Sequence, residues 1–166
     1  MGNDVVKTQL MHAQEALKSI REKLGDYLNE TTLSNMTESG ESSRDYYETI
    51  LTALRRIFVH CDEGLDHCRV ILNGKSFRKA AAERVLYWIY HQCVEEFFNP
   101  KNDSWYEDSR AAYTGKNAIK FSEPVPDALI ELVRSLEGQF QSMREDLEYY
   151  ETDYRTKMTQ KGNAFF

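Results

Sequence analysis

The sequence predicts an all-α fold: an antiparallel bundle of about four long helices, with a short extra helix in a long connection. Apolar residues recur every three or four positions near both ends of the chain, a spacing that places them on one helix face. Proline occurs only three times in 166 residues, which leaves long stretches free to be helical. The length and the 41% hydrophobic content suit one domain over 1–166 that folds without a disulfide or metal.

The first predicted helix spans about residues 4–29. Its apolar positions are spaced alternately by four and three residues, so they form a single stripe. The stripe consists of Val6, Leu10, Ala13, Leu17, Ile20, Leu24 and Tyr27. Residues 29–43 follow as a polar connector, rich in Ser, Thr, Asn and Glu and without an apolar period.

A second apolar stripe predicts helix over 43–73. Its members are Tyr47, Ile50, Leu54, Ile57, Cys61, Leu65, Cys68 and Leu72. The spacing allows either one long helix or two helices hinged at 62–64. A β-hairpin through 58–59 and 70–71 is a weaker alternative, because β-branched residues cluster there.

The next helix is predicted to occupy the middle of the bundle. Residues 85–98 are apolar on nearly every side, and a helix of that kind is usually buried all round. Three alanines at 80–82 supply strong helix propensity. Ser76 is predicted to cap this helix, as Ser42 is predicted to start the preceding one.

Residues 99–126 form a long connection, well past the length of ~12–15 residues at which loops become uncommon. Ser104 and Glu107 fit a capping box, and Gly115 fits a helix stop. The sequence therefore predicts a short helix over 104–113.

The last helix is predicted to begin near Pro126 and to continue past Tyr154 to Met158. Its stripe keeps a seven-residue repeat through Leu129, Val133, Leu136, Phe140, Met143, Leu147, Tyr150 and Tyr154. At ~1.5 Å per residue it would reach ~50 Å, against ~39 Å for the first helix. Its last turns would then overhang the bundle, with Tyr150, Tyr154 and Met158 as a homodimer contact; the alternative is a frayed or folded-over tail.

Charge and cysteine content limit the location and the partners. The net charge of −6 disfavours nucleic acid as a partner, since phosphate contacts require Lys and Arg. One basic segment over 55–84 leaves an anion or nucleic-acid site open, with a solvated helix face as the alternative: Arg55, Arg56, Arg69, Lys75, Arg78, Lys79 and Arg84. The three cysteines, Cys61, Cys68 and Cys93, suit reduced thiols of the cytoplasm. With no signal-peptide pattern and no apolar run of ~18 residues, we expect no membrane association.

A polar row on the central helix is the first candidate site. Arg84, Tyr87, His91 and Glu95 are spaced three, four and four apart, so they share one face. A histidine and a carboxylate at that spacing could hold a metal or act as an acid–base pair, with His60 and His67 as weak further ligands. The alternative is that Tyr87, His91 and Glu95 satisfy one another and nearby backbone, with the cysteines as small core residues.

The long connection is the second candidate site. It places the aromatic residues Trp105, Tyr106 and Tyr113 among charged residues that include Arg110. Amphipathic aromatic side chains beside charges are typical of a pocket wall or a partner surface. The alternative is that these aromatic side chains attach the connection to the end of the bundle.

Several motifs resemble one known family. They are His91-Gln92-Cys93, Glu95-Glu96-Phe97-Phe98, Pro100-Lys101-Asn102-Asp103, Trp105-Tyr106-Glu107-Asp108-Ser109-Arg110, Tyr113-Thr114-Gly115 and Tyr149-Tyr150-Glu151-Thr152-Asp153-Tyr154. On these motifs the chain resembles the YpuI-like family of uncharacterised Bacillus proteins. The resemblance spans the whole chain and is tightest over 87–121. It implies a cytoplasmic protein of Gram-positive bacteria, and it carries over no catalytic residues.

Three functions follow from these patterns. The first is a non-enzymatic cytoplasmic protein that acts through protein–protein contacts, as a homodimer or with an unknown protein partner. The second is a small-ligand or metal-binding bundle, or a metal-assisted enzyme, centred on His91 and Glu95 with 99–126 as a lid. The third is anion or nucleic-acid binding by the 55–84 segment. The sequence implies no cofactor, and it leaves catalytic activity undecided.

Overall fold

The computed structural model describes residues 2–108 and 118–161. The helices are α1 (Asn3–Glu30), α2 (Leu33–Ser39), α3 (Arg44–Leu72), α4 (Lys79–Ile89), α5 (Glu95–Phe98), α6 (Asp127–Asp146) and α7 (Asp153–Gln160). A π-helical turn (Tyr90–Val94) joins α4 to α5, a 3₁₀ turn (Glu148–Tyr150) precedes α7, and strands β1 (Trp105–Glu107) and β2 (Ile119–Phe121) form a small sheet. The predicted helical class is confirmed, with an additional two-stranded sheet that the all-α class did not include.

The predicted apolar stripes form the core. In the stripe of the first helix every residue is buried except Tyr27, which is half-buried. In the stripe of the last predicted helix, from Leu129 to Tyr154, every residue is buried. The 43–73 stripe is likewise buried apart from the half-buried Leu72. Burial of these side chains is the main stabilising contribution to the fold.

Helix α3 is continuous, so both the hinge at 62–64 and the β-hairpin alternative are wrong. The glycine in that stretch has a packing role, because Gly64 is where α1, α3 and α4 meet. A Cβ at this position would lie 3.2 Å from Leu17 Cδ1 and 3.3 Å from Trp88 Cζ3. The missing side chain therefore lets neighbouring helices approach closely.

Two predicted helix starts are corrected. The N-cap of α3 is Ser43 and not Ser42; the Ser43 hydroxyl accepts a hydrogen bond from the Tyr46 N–H. The N-cap of α4 is Arg78 and not Ser76, and its side chain makes no capping hydrogen bond. The three residues after Gly74 are thus not helical.

The predicted connector 29–43 also contains a helix, α2. Thr32 and Asn35 form a capping box at its start, and Met36 is buried. One buried methionine fixes this short helix to the bundle, a signal too small to produce an apolar period in the sequence.

The predicted helix over 104–113 is wrong where the structure describes it, because 105–107 is strand β1. It pairs antiparallel with β2, with Trp105 opposite Phe121. The Trp105 indole N–H donates to the Phe97 carbonyl at 2.6 Å, and the Tyr46 hydroxyl donates to the Ser104 carbonyl at 2.8 Å. These contacts outweigh the local capping signal, and residues 109–113 and Gly115 lie outside the described residues.

The last helix does not reach Tyr154, so the predicted overhang is wrong. Helix α6 ends at Asp146, and residues 148–160, the C-terminal strap, continue along the π-helical turn and α4. Tyr150 and Tyr154 are 0% and 2% exposed. The Tyr150 hydroxyl donates to Gln9 Oε1 at 3.1 Å, and the Tyr154 ring lies 5.6 Å from that of Tyr87. The stripe behind the homodimer prediction is therefore buried within its own chain.

A candidate binding cleft beside His91

A cleft of about 670 Å³ opens beside His91. One wall comes from the π-helical turn and α5, and the other comes from the end of α6 and the start of the C-terminal strap. Its lining includes Tyr90, Glu95, Glu96, Phe98, Lys101, Arg144, Glu145, Glu148 and Glu151. Small-molecule sites typically occupy ~300–1,000 Å³, and the volume of the cleft lies within that range.

The π-helical turn shapes the cleft. Within it the Glu95 N–H donates to the Tyr90 carbonyl, five residues earlier instead of four. One extra residue in a turn rotates the following residues about the helix axis, and such turns are frequent at functional sites. Sequence periodicity assumed a regular helix here and gave no signal of the change.

His91 has an oxygen acceptor at each ring nitrogen. Nδ1 lies 3.2 Å from Glu95 Oε1, and Nε2 lies 3.2 Å from the Tyr150 carbonyl oxygen. The Tyr87 ring is 4.3 Å from the imidazole, between centroids. Three members of the predicted polar row thus lie together, whereas Arg84 is exposed on the preceding turn. Each ring nitrogen thus has a protein oxygen within hydrogen-bond distance.

Carboxylates dominate the rim of the cleft. Glu95, Glu145, Glu148 and Glu151 are exposed there, whereas Tyr90 is buried at the base. Burial and then the neighbouring carboxylates raise the pKa of Tyr90 to about 12, so its phenol stays protonated at neutral pH. Several like charges around one concave surface favour a cationic ligand.

Arg144 connects the cleft to the sheet. Its guanidinium forms a bidentate ion pair with Glu107 of β1, at 2.9 and 2.7 Å, and lies 3.7 Å above the centre of the Phe98 ring. A half-buried bidentate pair fixes both partners in orientation. Sequence reasoning missed Arg144, because a lone arginine within a predicted helix looks like a solvated charge.

Glu96 is a second residue that the sequence reasoning did not single out. It is only 4% exposed, and its Oε1 accepts from Arg56 and from the Lys101 backbone N–H, both at 3.3 Å. The carboxylate ties α5 to α3 and to the loop that follows α5. One arginine of the predicted basic segment therefore has a buried acidic partner.

The other predicted metal ligands lie apart from His91. His60 donates from Nδ1 to the Gln92 carbonyl at 3.0 Å, and His60 and His67 both pack edge-on against Trp88, on the α3 side. Within 2–108 and 118–161, no three His, Cys, Asp or Glu side chains are placed to hold one metal ion.

The predicted basic segment does not form one patch. Arg55 lies in the middle of α3, whereas Arg78 and Lys79 lie beyond the C-terminal end of that helix. At ~1.5 Å per residue, Arg55 is about 25 Å from that end along the helix axis. Arg69 pairs with Asp66 of its own helix at 3.6 Å. Anion binding by these residues acting together has no support in this arrangement.

The aromatic residues of the long connection have different environments. Trp105 is 1% exposed and packs against Phe97 and Phe121, which attaches the connection to the bundle. Tyr106 is exposed. Arg110 and Tyr113, the other two candidates there, lie outside the described residues.

The three cysteines are fully buried between α3 and the π-helical turn. Burial raises the pKa of Cys68 to about 12, and burial followed by a hydrogen bond to Cys61 raises the pKa of Cys93. Both shifts keep the thiols protonated and unreactive.

We expect iodoacetamide to leave Cys61, Cys68 and Cys93 unmodified in the native protein at mildly alkaline pH, and to modify all three in denaturant. Intact-mass spectrometry before and after unfolding measures the number of adducts. Rapid modification of native protein would contradict the burial of these thiols.

No helix in the described parts of the chain is long and apolar enough to cross a membrane.

No solved structure matches the chain. In sequence the chain is 42% identical over 151 residues to the "Uncharacterized protein YpuI" of Bacillus subtilis (strain 168). The aligned region covers 91% of this chain and 84% of that relative. The family model described as "Protein of unknown function (DUF3907)" matches residues 10–156. The resemblance inferred from the motifs is thereby confirmed, and the chain belongs to this family.

Proposed function

We propose that this protein is a non-enzymatic binding protein of the bacterial cytoplasm, and that the cleft beside His91 accepts basic side chains of a partner protein. One observation carries the proposal: an open cleft of about 670 Å³ with four exposed carboxylates on its rim. The cytoplasmic location is supported by the three unpaired cysteines. An origin in Gram-positive bacteria is supported by the relative from Bacillus subtilis.

The architecture of the cleft supports recognition by charge. Its base carries the rings of Tyr90 and Phe98, which are 4% and 2% exposed. Arg144 covers one of these rings, and its own charge is paired with Glu107. The rim carboxylates remain to attract Lys or Arg side chains.

Catalysis is less well supported than binding. The histidine that would act as a base has both nitrogens directed at oxygen acceptors, and its neighbour Tyr90 has a raised pKa. The second candidate is a small organic amine bound in the same cleft, which its volume would accommodate.

The homodimer is also a proposal, and it needs a surface other than the predicted one. Tyr150 and Tyr154 are buried, and Met158 packs against the core. Light scattering at several concentrations would measure the assembly state.

We propose further that the long helices α1, α3, α4 and α6 act as one antiparallel four-helix scaffold for the cleft.

A titration followed by amide NMR tests the proposed function. The first probe is a short capped peptide with one Lys and one Arg, and a peptide with Glu at both positions is its control. We expect the basic peptide alone to shift amide signals of the cleft, with an affinity that weakens as salt rises. Spermidine is the second probe, and it represents the small organic amine.

Variants decide whether the cleft is responsible. The double variant Glu145→Gln and Glu148→Gln removes two rim charges, and we expect it to weaken peptide binding about tenfold. A control pair on α1, Glu15→Gln and Glu22→Gln, makes the same change of charge at exposed positions outside the cleft lining. Binding of spermidine without the peptide would favour the second candidate, and binding of neither would overturn the proposed function.

A further inference from the structure

A second opening, the basic recess, adjoins the cleft beside His91. It has a volume of about 430 Å³ and is lined by Arg56, His60, Gln92, Lys101 and Asn102. Among the described residues no carboxylate lines the basic recess, whereas four exposed carboxylates lie on the rim of the cleft. Lys101 lines both openings, so the two are neighbours on one surface and carry opposite charges.

Two cationic side chains give the basic recess its character. Lys101 is exposed, and its ammonium group has no hydrogen bond or ion pair with any described residue. Arg56 is 35% exposed and donates from Nη1 to Glu96 Oε1 at 3.3 Å; its other N–H groups have no acceptor among the described residues. Because Glu96 offsets the charge of Arg56, Lys101 supplies the net positive charge, and Arg56 supplies N–H donors of fixed direction.

The other residues of the basic recess hold it in shape. His60 Nδ1 donates to the Gln92 carbonyl at 3.0 Å. Asn102 Nδ2 donates to the Thr49 carbonyl of α3 at 3.0 Å, and Asn102 Oδ1 accepts from the Ser104 N–H at 3.3 Å. The loop that carries Lys101 is thereby attached to α3, which carries Arg56.

We propose that the basic recess binds a carboxylate, so that the protein recognises a partner segment in which an acidic side chain lies within a few residues of a basic one. The inference rests on the proposed function, since the basic side chain would occupy the cleft. Neighbouring openings of opposite charge select a ligand whose own charges have the matching arrangement. Guanidinium N–H groups suit a carboxylate in direction as well as in charge. This site differs from the predicted basic segment 55–84, because it depends on Lys101.

Amide NMR titration with three capped peptides tests the inference on the full chain. Each peptide contains one Lys and one Arg. The first has Gln two residues before and two residues after this basic pair, and each of the other two has Glu in place of one of these glutamines.

We expect one of the two Glu peptides to bind about fivefold more tightly than the Gln peptide, the upper range for one exposed ion pair. That peptide should also shift the amide signals of Gln92 and Asn102. General attraction to a protein of net charge −6 would give the opposite order, because each Glu peptide carries less positive charge than the Gln peptide.

A charge-removing variant locates the effect. Lys101→Gln removes the net positive charge of the basic recess, so the Glu peptide should lose its advantage. The Gln peptide should bind no more weakly, because a cation has been removed from the lining of the acidic cleft. Lys101 is exposed, so the variant is expected to fold normally. In the matched control Lys18→Gln, at an exposed position of α1 that lines neither opening, the advantage should remain.

The inference and the proposed function can fail separately. Binding of the Gln peptide with no gain from either Glu peptide would overturn the inference and leave the proposed function standing. A gain that persists in Lys101→Gln, or that is lost equally in Lys18→Gln, would also overturn the inference, since the basic recess would not be its source. Binding of none of the three peptides would overturn both.

Discussion

Phe140→Ala is expected to lower the free energy of unfolding by about 3–5 kcal/mol, the range for removing a large buried aromatic side chain. The Phe140 side chain is fully buried, and its ring stacks on Phe97 with centroids 4.2 Å apart and planes 11° apart. The substitution therefore removes apolar contacts and leaves a cavity between α6 and α5. Urea unfolding followed by circular dichroism measures the change.

Truncation of an exposed side chain to alanine is the control for Phe140→Ala. Val70→Ala removes apolar atoms from a residue that is 64% exposed, so we expect a change within about 0.5 kcal/mol. A loss below about 1 kcal/mol for Phe140→Ala would contradict the packing described here. Because α5 supplies one wall of the cleft, this variant should also weaken binding of the basic peptide.

Gly64→Leu is expected to destabilise the protein by about 3 kcal/mol, at the upper end of the usual cost of overpacking. A Cβ alone would already lie 3.2–3.4 Å from Leu17, Trp88 and Ile89, and the remaining leucine atoms would have to enter the contact between three helices. Thermal and chemical denaturation measure the loss.

Gly138→Leu is the matched control, since it makes the same substitution in another helix. A Cβ at Gly138 has no atom within 4 Å, so the higher helix propensity of leucine should stabilise the protein by up to about 1 kcal/mol. Similar effects of the two substitutions would contradict the close packing of three helices around Gly64.

The sequence alone predicted the positions of the long helices well. An apolar side chain every three or four residues is a property of neighbours along the chain, and α1, α3 and α6 begin within one or two residues of their predicted starts. The same patterns failed at short elements. Helix α2 and strand β1 each depend on one or two long-range contacts, such as the buried Met36 or the bond from Trp105 to the Phe97 carbonyl.

For the candidate site, the sequence identified part of one wall. The row Tyr87, His91 and Glu95 follows from helical spacing, because its members are neighbours on one helix. The opposite wall could not be predicted from spacing, since Arg144 and Glu148 meet residues that lie far earlier in the chain, and since α6 ends at Asp146. The seven-residue repeat continues through that break without interruption, so the periodicity gave no sign of it.

The sequence by itself therefore determined the helical class, the core stripes and the family, since each is encoded in residues that are close together along the chain. Only the tertiary structure decided that Tyr150 and Tyr154 are buried within their own chain, that Gly64 serves close packing, and that both nitrogens of His91 meet acceptors. These features depend on contacts between residues far apart in sequence, such as the 59 positions from His91 to Tyr150. Local periodicity carries no information about such contacts.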